Sequence, residues 1–232
     1  MGLIGEGLVR AGTLLASVDT ELLSVTWLSL KVSGAATALS LVAGMPLGAM
    51  LALVRFPGRG LVVALVNTGM GLPPVVVGLF VSILLWRSGP LGALELLYTP
   101  TAIVMAQFVI AMPIVTGLTL AAVQQIPERF RLQVQALGAS RLQLLVVLIR
   151  EARLPLLAAL MAGFGAVISE VGASLMVGGN IRGQTRVLTT ATVLETSKGN
   201  FDVAIALSVI LLGLTFVVNW ALTWIQQRGR VA

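Results

Sequence analysis

Between Val32 and Val54 the chain carries no charged residue. A helix needs about 20 apolar residues, at 1.5 Å each, to cross the hydrocarbon of a bilayer, and this run is long enough. The whole stretch, 22–54, exceeds one perpendicular crossing. Lys31 is expected to snorkel to one surface, and Gly44-Met45-Pro46-Leu47-Gly48 reads as a bend. Four further apolar stretches follow, at 61–86, 101–123, 154–177 and 203–225. Backbone groups in lipid must bond within the protein, which leaves helices or closed barrels. The short alternating segments of a barrel are absent from the sequence. The expected architecture is all-α: a polytopic membrane helix bundle of about five transmembrane helices in a single domain, 1–232. An interfacial N-terminal helix is expected at 3–16.

Composition narrows the chemistry. Hydrophobic residues make up 57% and charged residues 10%, against about 45–50% and about 25% in soluble domains. There is no cysteine and no histidine, which removes thiol chemistry, Cys/His metal sites and the commonest general base. No nucleophile–base pair or carboxylate dyad stands out, so neither an enzyme nor a cofactor is expected. The net charge of +6 falls mainly in loops, where it serves topology rather than nucleic acid. The first residues lack a basic stretch running into an apolar core, so no cleaved leader is expected.

The Lys/Arg bias orients the bundle. One side collects nine cations: Arg55, Arg59, Arg129, Arg131, Arg141, Arg150, Arg153, Arg228 and Arg230. The other collects six: Arg10, Lys31, Arg87, Arg182, Arg186 and Lys198. The first side is therefore cytoplasmic, with the N-terminus outside and the C-terminus inside. On that side lies "PERFRLQVQALGASRLQLLVVLIREARLP", 127–155, which reads as helix, turn, helix. Phe130, Val134 and Leu137 share one helical face, with Arg131 and Gln135 on another. Gly138 permits the turn, and Leu142, Leu145, Val146 and Ile149 make a second apolar stripe. A short exposed helix with an apolar face needs a lipid surface or a partner to cover it.

Here the residues resemble a family. "ALGASRLQLL…LP" is similar to the cytoplasmic EAA loop of ABC importer permeases. That pattern runs Glu-Ala-Ala, three residues, Gly, nine residues, Ile, one residue, Leu-Pro. Gly138 matches its glycine and Leu154-Pro155 its terminal pair. Leu132, Gln133 and Val134 stand where Glu-Ala-Ala would, and the interval from Gly138 to Leu154 is four residues longer, about one helical turn. "NTGMGLPPVVVGL", "SGPLG", "TPTAIVMAQ", "REARLPLLAALMAGFGAVISEVGASLMVGGNI" and "TRVLTTATVLETSKGNFDVAIAL" resemble the tungstate-type permeases, relatives of the molybdate permeases.

The resemblance implies a prokaryotic plasma-membrane permease working as a homodimer with two ATPase subunits and an extracytoplasmic oxyanion-binding protein. It implies alternating access for tungstate, with molybdate, sulfate or another oxyanion as alternatives. An ATP-independent secondary transporter or channel subunit is the reading from a different class. The loop would form a coupling helix, with Arg131, Gln135, Ala136, Leu137, Gly138, Ala139, Ser140 and Arg141 at the ATPase contact. The sequence has no G-x-x-x-x-G-K-[ST] phosphate loop, and its two lysines are Lys31 and Lys198. ATP hydrolysis would belong to another chain.

A doubly charged oxyanion needs a protected polar path. In "GMGLPPVVVG", Gly69, Gly71, Pro73 and Pro74 interrupt the second span. They either present helix N-termini to an anion or simply kink the helix. Glu170 is the one acid well inside a span. A carboxylate would repel the cargo, so a structural or gating role is expected, through pairing with Arg182 or Arg186 or by protonation. Gln107 and Ser174 are path-lining groups or interhelical hydrogen bonds. Asn180 and Arg182 form an outer mouth or a solvated loop. Gly163, Gly165, Ala166, Gly172 and Ala173 are small enough for close helix packing, including a dimer seam.

Overall fold

The computed structural model describes residues 2–16 and 20–228; Arg230 lies outside them. Every transmembrane candidate is helical. The α1 helix is Leu3–Ala16 and α2 is Thr20–Leu53. Next come α3, Arg59–Met70, and α4, Pro74–Leu85. A single 3-10 turn at Gly92–Leu94 leads to α5, Pro100–Gln124. The α6 (Glu128–Ala136) and α7 (Arg141–Glu151) helices precede α8 (Arg153–Ile168) and α9 (Gly172–Gly178). The chain finishes with α10, Leu188–Ser197, and α11, Phe201–Arg228. Among the described residues α2, α5 and α11 are each long and apolar enough to cross a membrane. The pairs α3–α4 and α8–α9 pass the same test together, which brings the count to five if each bent pair is one span.

The centre of the bundle is the pairing of α2 with α5. Val32, Ala36, Ser40, Gly44 and Gly48 recur every four residues on α2 and are all buried. That spacing places them on one helical face. The Ser40 hydroxyl reaches the Phe108 carbonyl at 3.5 Å. A Cβ on Gly44 would lie 3.0 Å from Thr116 Oγ1, and one on Gly48 would lie 2.4 Å from the Thr116 carbonyl. The register advances in the same direction on both helices, so they run parallel. Small residues allow this approach, and in lipid such packing replaces the hydrophobic drive to associate. At the bend expected at 44–48, α2 stays helical through Pro46. Gly44 and Gly48 there serve the seam with α5.

The interruption expected in the second span is a turn of 104° between α3 and α4. Gly71 caps α3, and Pro74 opens α4 at its first position, where a missing N–H costs nothing. The fourth span departs from expectation, since α8 and α9 meet at 58° across 169–171. The polar segment 178–202, between the fourth and fifth apolar stretches, contains α10, which buries Leu188, Thr189, Thr190 and Ala191. The expected amphipathic stretch at 3–16 is α1, and it packs along α11. Gly7 lies so close there that a Cβ would come within 2.4 Å of Ile205 Cγ2.

Replacing Gly48 by valine is expected to destabilise the protein by about 3 kcal/mol or more, because rigid backbone on α5 cannot yield to the new side chain. Thermal unfolding of the detergent-solubilised protein measures this. The same change at Gly34, with nothing within 4 Å of its Cβ position, should be nearly silent.

Candidate coupling elbow and translocation path

The helix–turn–helix expected between the third and fourth spans is present, and its turn has a local cause. Gly138 stands at φ +83°, a left-handed conformation that costs an L side chain roughly 1–2 kcal/mol. Its N–H donates to the Gln135 carbonyl at 2.9 Å, closing α6. Ser140 then opens α7 with a capping box. Its hydroxyl accepts from the Gln143 N–H at 3.3 Å, while the Gln143 side chain accepts from the Ser140 N–H at 2.7 Å. These two bonds satisfy donors that a helix start leaves unpaired.

The elbow has a buried base and an exposed tip. Leu144 and Leu148 of α7 sit in a core with Ala49 of α2, Val123 of α5, Ile126 just after it, and Leu156 of α8. The stripe expected from spacing was Leu142, Leu145, Val146 and Ile149. Leu145 and Ile149 do pack partly against that core, but Leu142 is 70% exposed and Val146 43%. Because α7 is apolar on more than one side, its period alone does not choose the buried face. At the tip Leu137 is 88% exposed. Gln135, Ala136, Gly138, Ser140 and Arg141 are also exposed, and Ala139 is half-buried. Arg131 turns inward: its guanidinium donates through Nη2 to the Val123 carbonyl at the end of α5. It thus ties the elbow to a transmembrane helix end, where a cation also complements the helix dipole.

Several hydrogen bonds from different helices converge on the break between α8 and α9. Ending α8 leaves the Val167 carbonyl without its usual helical donor. The Glu170 N–H donates to it at 3.2 Å, the Gln107 Nε2 at 3.0 Å and the Ser33 hydroxyl at 3.5 Å. Glu170 is 7% exposed, and its Oε1 accepts from the Ala173 N–H at 2.8 Å, capping α9. Its carbonyl accepts from Thr189 of α10 at 2.9 Å. A second brace runs from the Leu188 N–H to the Ser29 hydroxyl at 2.8 Å. Arg182 and Arg186 are not its partners; both pair with Glu21 at the start of α2. Sequence reasoning missed Ser29, Ser33, Thr189 and α10, although small polar residues one turn apart along α2 were the available signal.

The remaining candidates separate by depth. Gln107 and Ser174 are buried at 2% and 1%. Helix register brings them level: Gly178 of α9 meets Ile103 of α5, and one turn back along α9 and forward along α5 gives Ser174 and Gln107. The Oε1 of Gln107 and the Oγ of Ser174 have no hydrogen-bond partner among the described residues. Gly71 and Pro73 lie exposed at the α3–α4 turn, with Pro74 half-buried. Asn180, at φ +53°, donates to the Thr190 carbonyl at 3.3 Å. Near it a cavity of about 320 Å³ is bordered by Glu21, Arg182, Arg186, Glu195 and Lys198. The Asn200 amide, and after it Lys198, holds the Glu195 carboxyl below the usual carboxylate range.

Residues 44–231 match the family described as "Binding-protein-dependent transport system inner membrane component". The chain belongs to this family. A "Probable anion ABC transporter permease protein" of Haloferax volcanii is 44% identical over 86% of this chain and 88% of its own length. The "Tungstate uptake system permease protein TupB" of Peptoclostridium acidaminophilum is 38% identical, covering 98% of this chain and 100% of that protein. Its namesake from Campylobacter jejuni is 34% identical over 94% and 91%. The fold is shared with the MetNI methionine ABC transporter in an inward-facing conformation, at TM-score 0.74 and 22% identity over 89% of this chain and 95% of that one. A bacterial ABC transporter that imports the acidic polysaccharide alginate gives TM-score 0.76 at 17% identity, over 94% and 82%. In this inner membrane component the matched region begins inside α2. It contains the elbow, both bent pairs and α10, and leaves out α1.

The geometry at the break separates a capping role for Glu170 from a charged one. Glu170→Gln keeps an acceptor for the Ala173 N–H and should retain folding and activity, whereas Glu170→Ala should cost about 1–2 kcal/mol through the lost cap. Thermal unfolding of both variants checks this. Equal loss in both would mean that the carboxylate charge itself is required.

Proposed function

We propose that this chain is the permease subunit of an ATP-driven importer of tungstate. Two copies would enclose the path, and a separate ATPase would grip each elbow. An extracytoplasmic protein would deliver the oxyanion. The observation that carries the substrate is the 38% identity to a tungstate uptake permease over 98% of this chain. The exposed, preformed tip around Leu137 and Gly138 supports the ATPase contact. Leu132, Leu137 and Leu142 of the elbow are 57%, 88% and 70% exposed, and several large apolar side chains left open on one basic elbow support a partner that covers them.

A physical constraint supports the second copy. Gly71, Leu72 and Pro73 are non-helical, lie within an apolar bent pair and are exposed on the surface of the single chain. Irregular backbone is not tolerated against lipid, only against protein or a water-filled cavity. A path between two copies supplies both. The α4 helix start at Pro74 would then face the cargo with the positive end of its dipole. Gln107, Glu170 and Ser174 would hold or gate the wall behind it, and Asn180 would lie toward the outer mouth. The arginine bias supports a cytoplasmic elbow, with the N-terminus outside and the C-terminus inside.

Reconstitution with the co-encoded ATPase and binding protein tests this reading. ATP-dependent uptake of tungstate should exceed that of molybdate and sulfate. Gly138→Val should insert normally yet lose about tenfold or more of the uptake, since a strained turn misplaces the tip. Undiminished uptake by that variant, or uptake without any ATPase, would overturn the proposal.

A further inference from the structure

A cavity of about 660 Å³ lies under the elbow, between the ends of α2 and α5 and helix α6. Arg55, Arg59 and Arg131 line it, with Glu128 as its one lining carboxylate and Gln124 and Gln135 as amides. Formal charge is therefore 3 − 1 = +2 on the lining residues. None of the three arginines has a carboxylate within 4.0 Å among the described residues. Topology alone would ask only that cations be on this side. It does not ask that they converge, nor that they be held in place.

Here they are held. The Arg59 Nε donates to the Leu51 carbonyl at 2.7 Å, at the end of α2. Arg131 donates through Nη2 to Val123 at the end of α5, and its Nε is buried with no hydrogen-bond partner among the described residues. Burying a guanidinium N–H unpaired is costly, and a second acceptor in the cavity would relieve that cost. The helix C-termini offset part of the positive charge, but each also anchors one guanidinium at the cavity wall. Guanidinium forks match the paired oxygens of phosphate-like anions.

We infer that this cavity binds a tetrahedral oxyanion, either a free ion or the phosphate of an anionic lipid headgroup. The chemistry is the same for both, and the inference does not depend on tungstate import. Two arms distinguish the sources, using the full-length chain purified in detergent. Equilibrium dialysis with inorganic phosphate and with tungstate reads the free ion. Native mass spectrometry of retained phosphatidylglycerol against phosphatidylcholine reads the lipid.

Arg55→Gln breaks no carbonyl bond and should fold normally. It is expected to weaken the bound species about fivefold, and Arg131→Gln about tenfold or more, as for loss of a charge-assisted hydrogen bond. Arg129→Gln removes an equal charge from the same elbow but not from the cavity, and should change binding less than twofold. Selective loss in either arm supports the site and names its source. No binding in either arm, or equal weakening by Arg55→Gln and Arg129→Gln, overturns it. Neither readout needs an ATPase or transport, so failure here is separable from failure of the import reading.

Discussion

The close approach of α2 to α5 is the constraint on which the rest of the bundle depends. Lipid chains are as apolar as leucine, so helices in a bilayer gain little by burying leucine against leucine. They gain by fitting backbone to backbone, and the row Ala36, Ser40, Gly44 and Gly48 makes that possible. Once α2 and α5 are locked in parallel, their N-terminal halves receive α4 and α9, with Val77, Val81, Ala173 and Val177 closing one core. Their C-terminal ends receive α7 and α8 through Leu144, Leu148 and Leu156. The elbow is therefore seated on the same pair of helices that supports the intramembrane break.

Much of this was legible in the sequence, for identifiable reasons. Charge-free length gave the spans, and an arginine-bordered amphipathic segment gave the elbow. Gly138 gave its turn, because few other residues accept a positive φ there. What escaped was whatever depends on a neighbour. Gly44 and Gly48 around Pro46 read as a bend, and their contact with α5 was not foreseen. The break at Glu170 carries no proline and was read through as one span. It is stabilised by Gln107 and Ser33 from other helices, which no local pattern reveals. The α10 helix was hidden because its threonines look like loop residues. Their hydroxyls are instead spent on nearby carbonyls: Thr189 on Glu170 and Thr192 on Leu188.

The arginines illustrate how one residue type serves two ends at once. Counted along the sequence, they orient the bundle. Placed in the fold, Arg59 and Arg131 close the carbonyl ends of α2 and α5. A transmembrane helix that ends with unpaired carbonyls near the hydrocarbon boundary needs donors, and water there competes poorly with a tethered guanidinium. The loop before α3 and the elbow are thus pinned to the two central helices by their own cations. Arg131 was expected at a partner contact. Its position shows that part of the elbow faces the permease itself, while Leu137 and Arg141 remain turned outward.

Mechanical continuity follows from the way α7 meets α8. Ala152 is the C-cap of the first and the N-cap of the second, so no flexible segment separates them. The α8 helix then runs 16 residues, about 24 Å, to the Glu170 break. In the proposed cycle a displacement of the elbow would be carried across that short junction to the far end of α8. There the Val167 carbonyl shares its donors among α2, α5 and the break itself, and Glu170 connects onward to α9 and α10. These bonds lie across the bend rather than along one helix, so rotating α8 exchanges them instead of stretching a helical ladder. In the proposed cycle this is where a push from the cytoplasm would become a change in the path wall. In that cycle the bend between α8 and α9 would be the hinge, with one end of α8 toward the ATPase and the other toward the cargo.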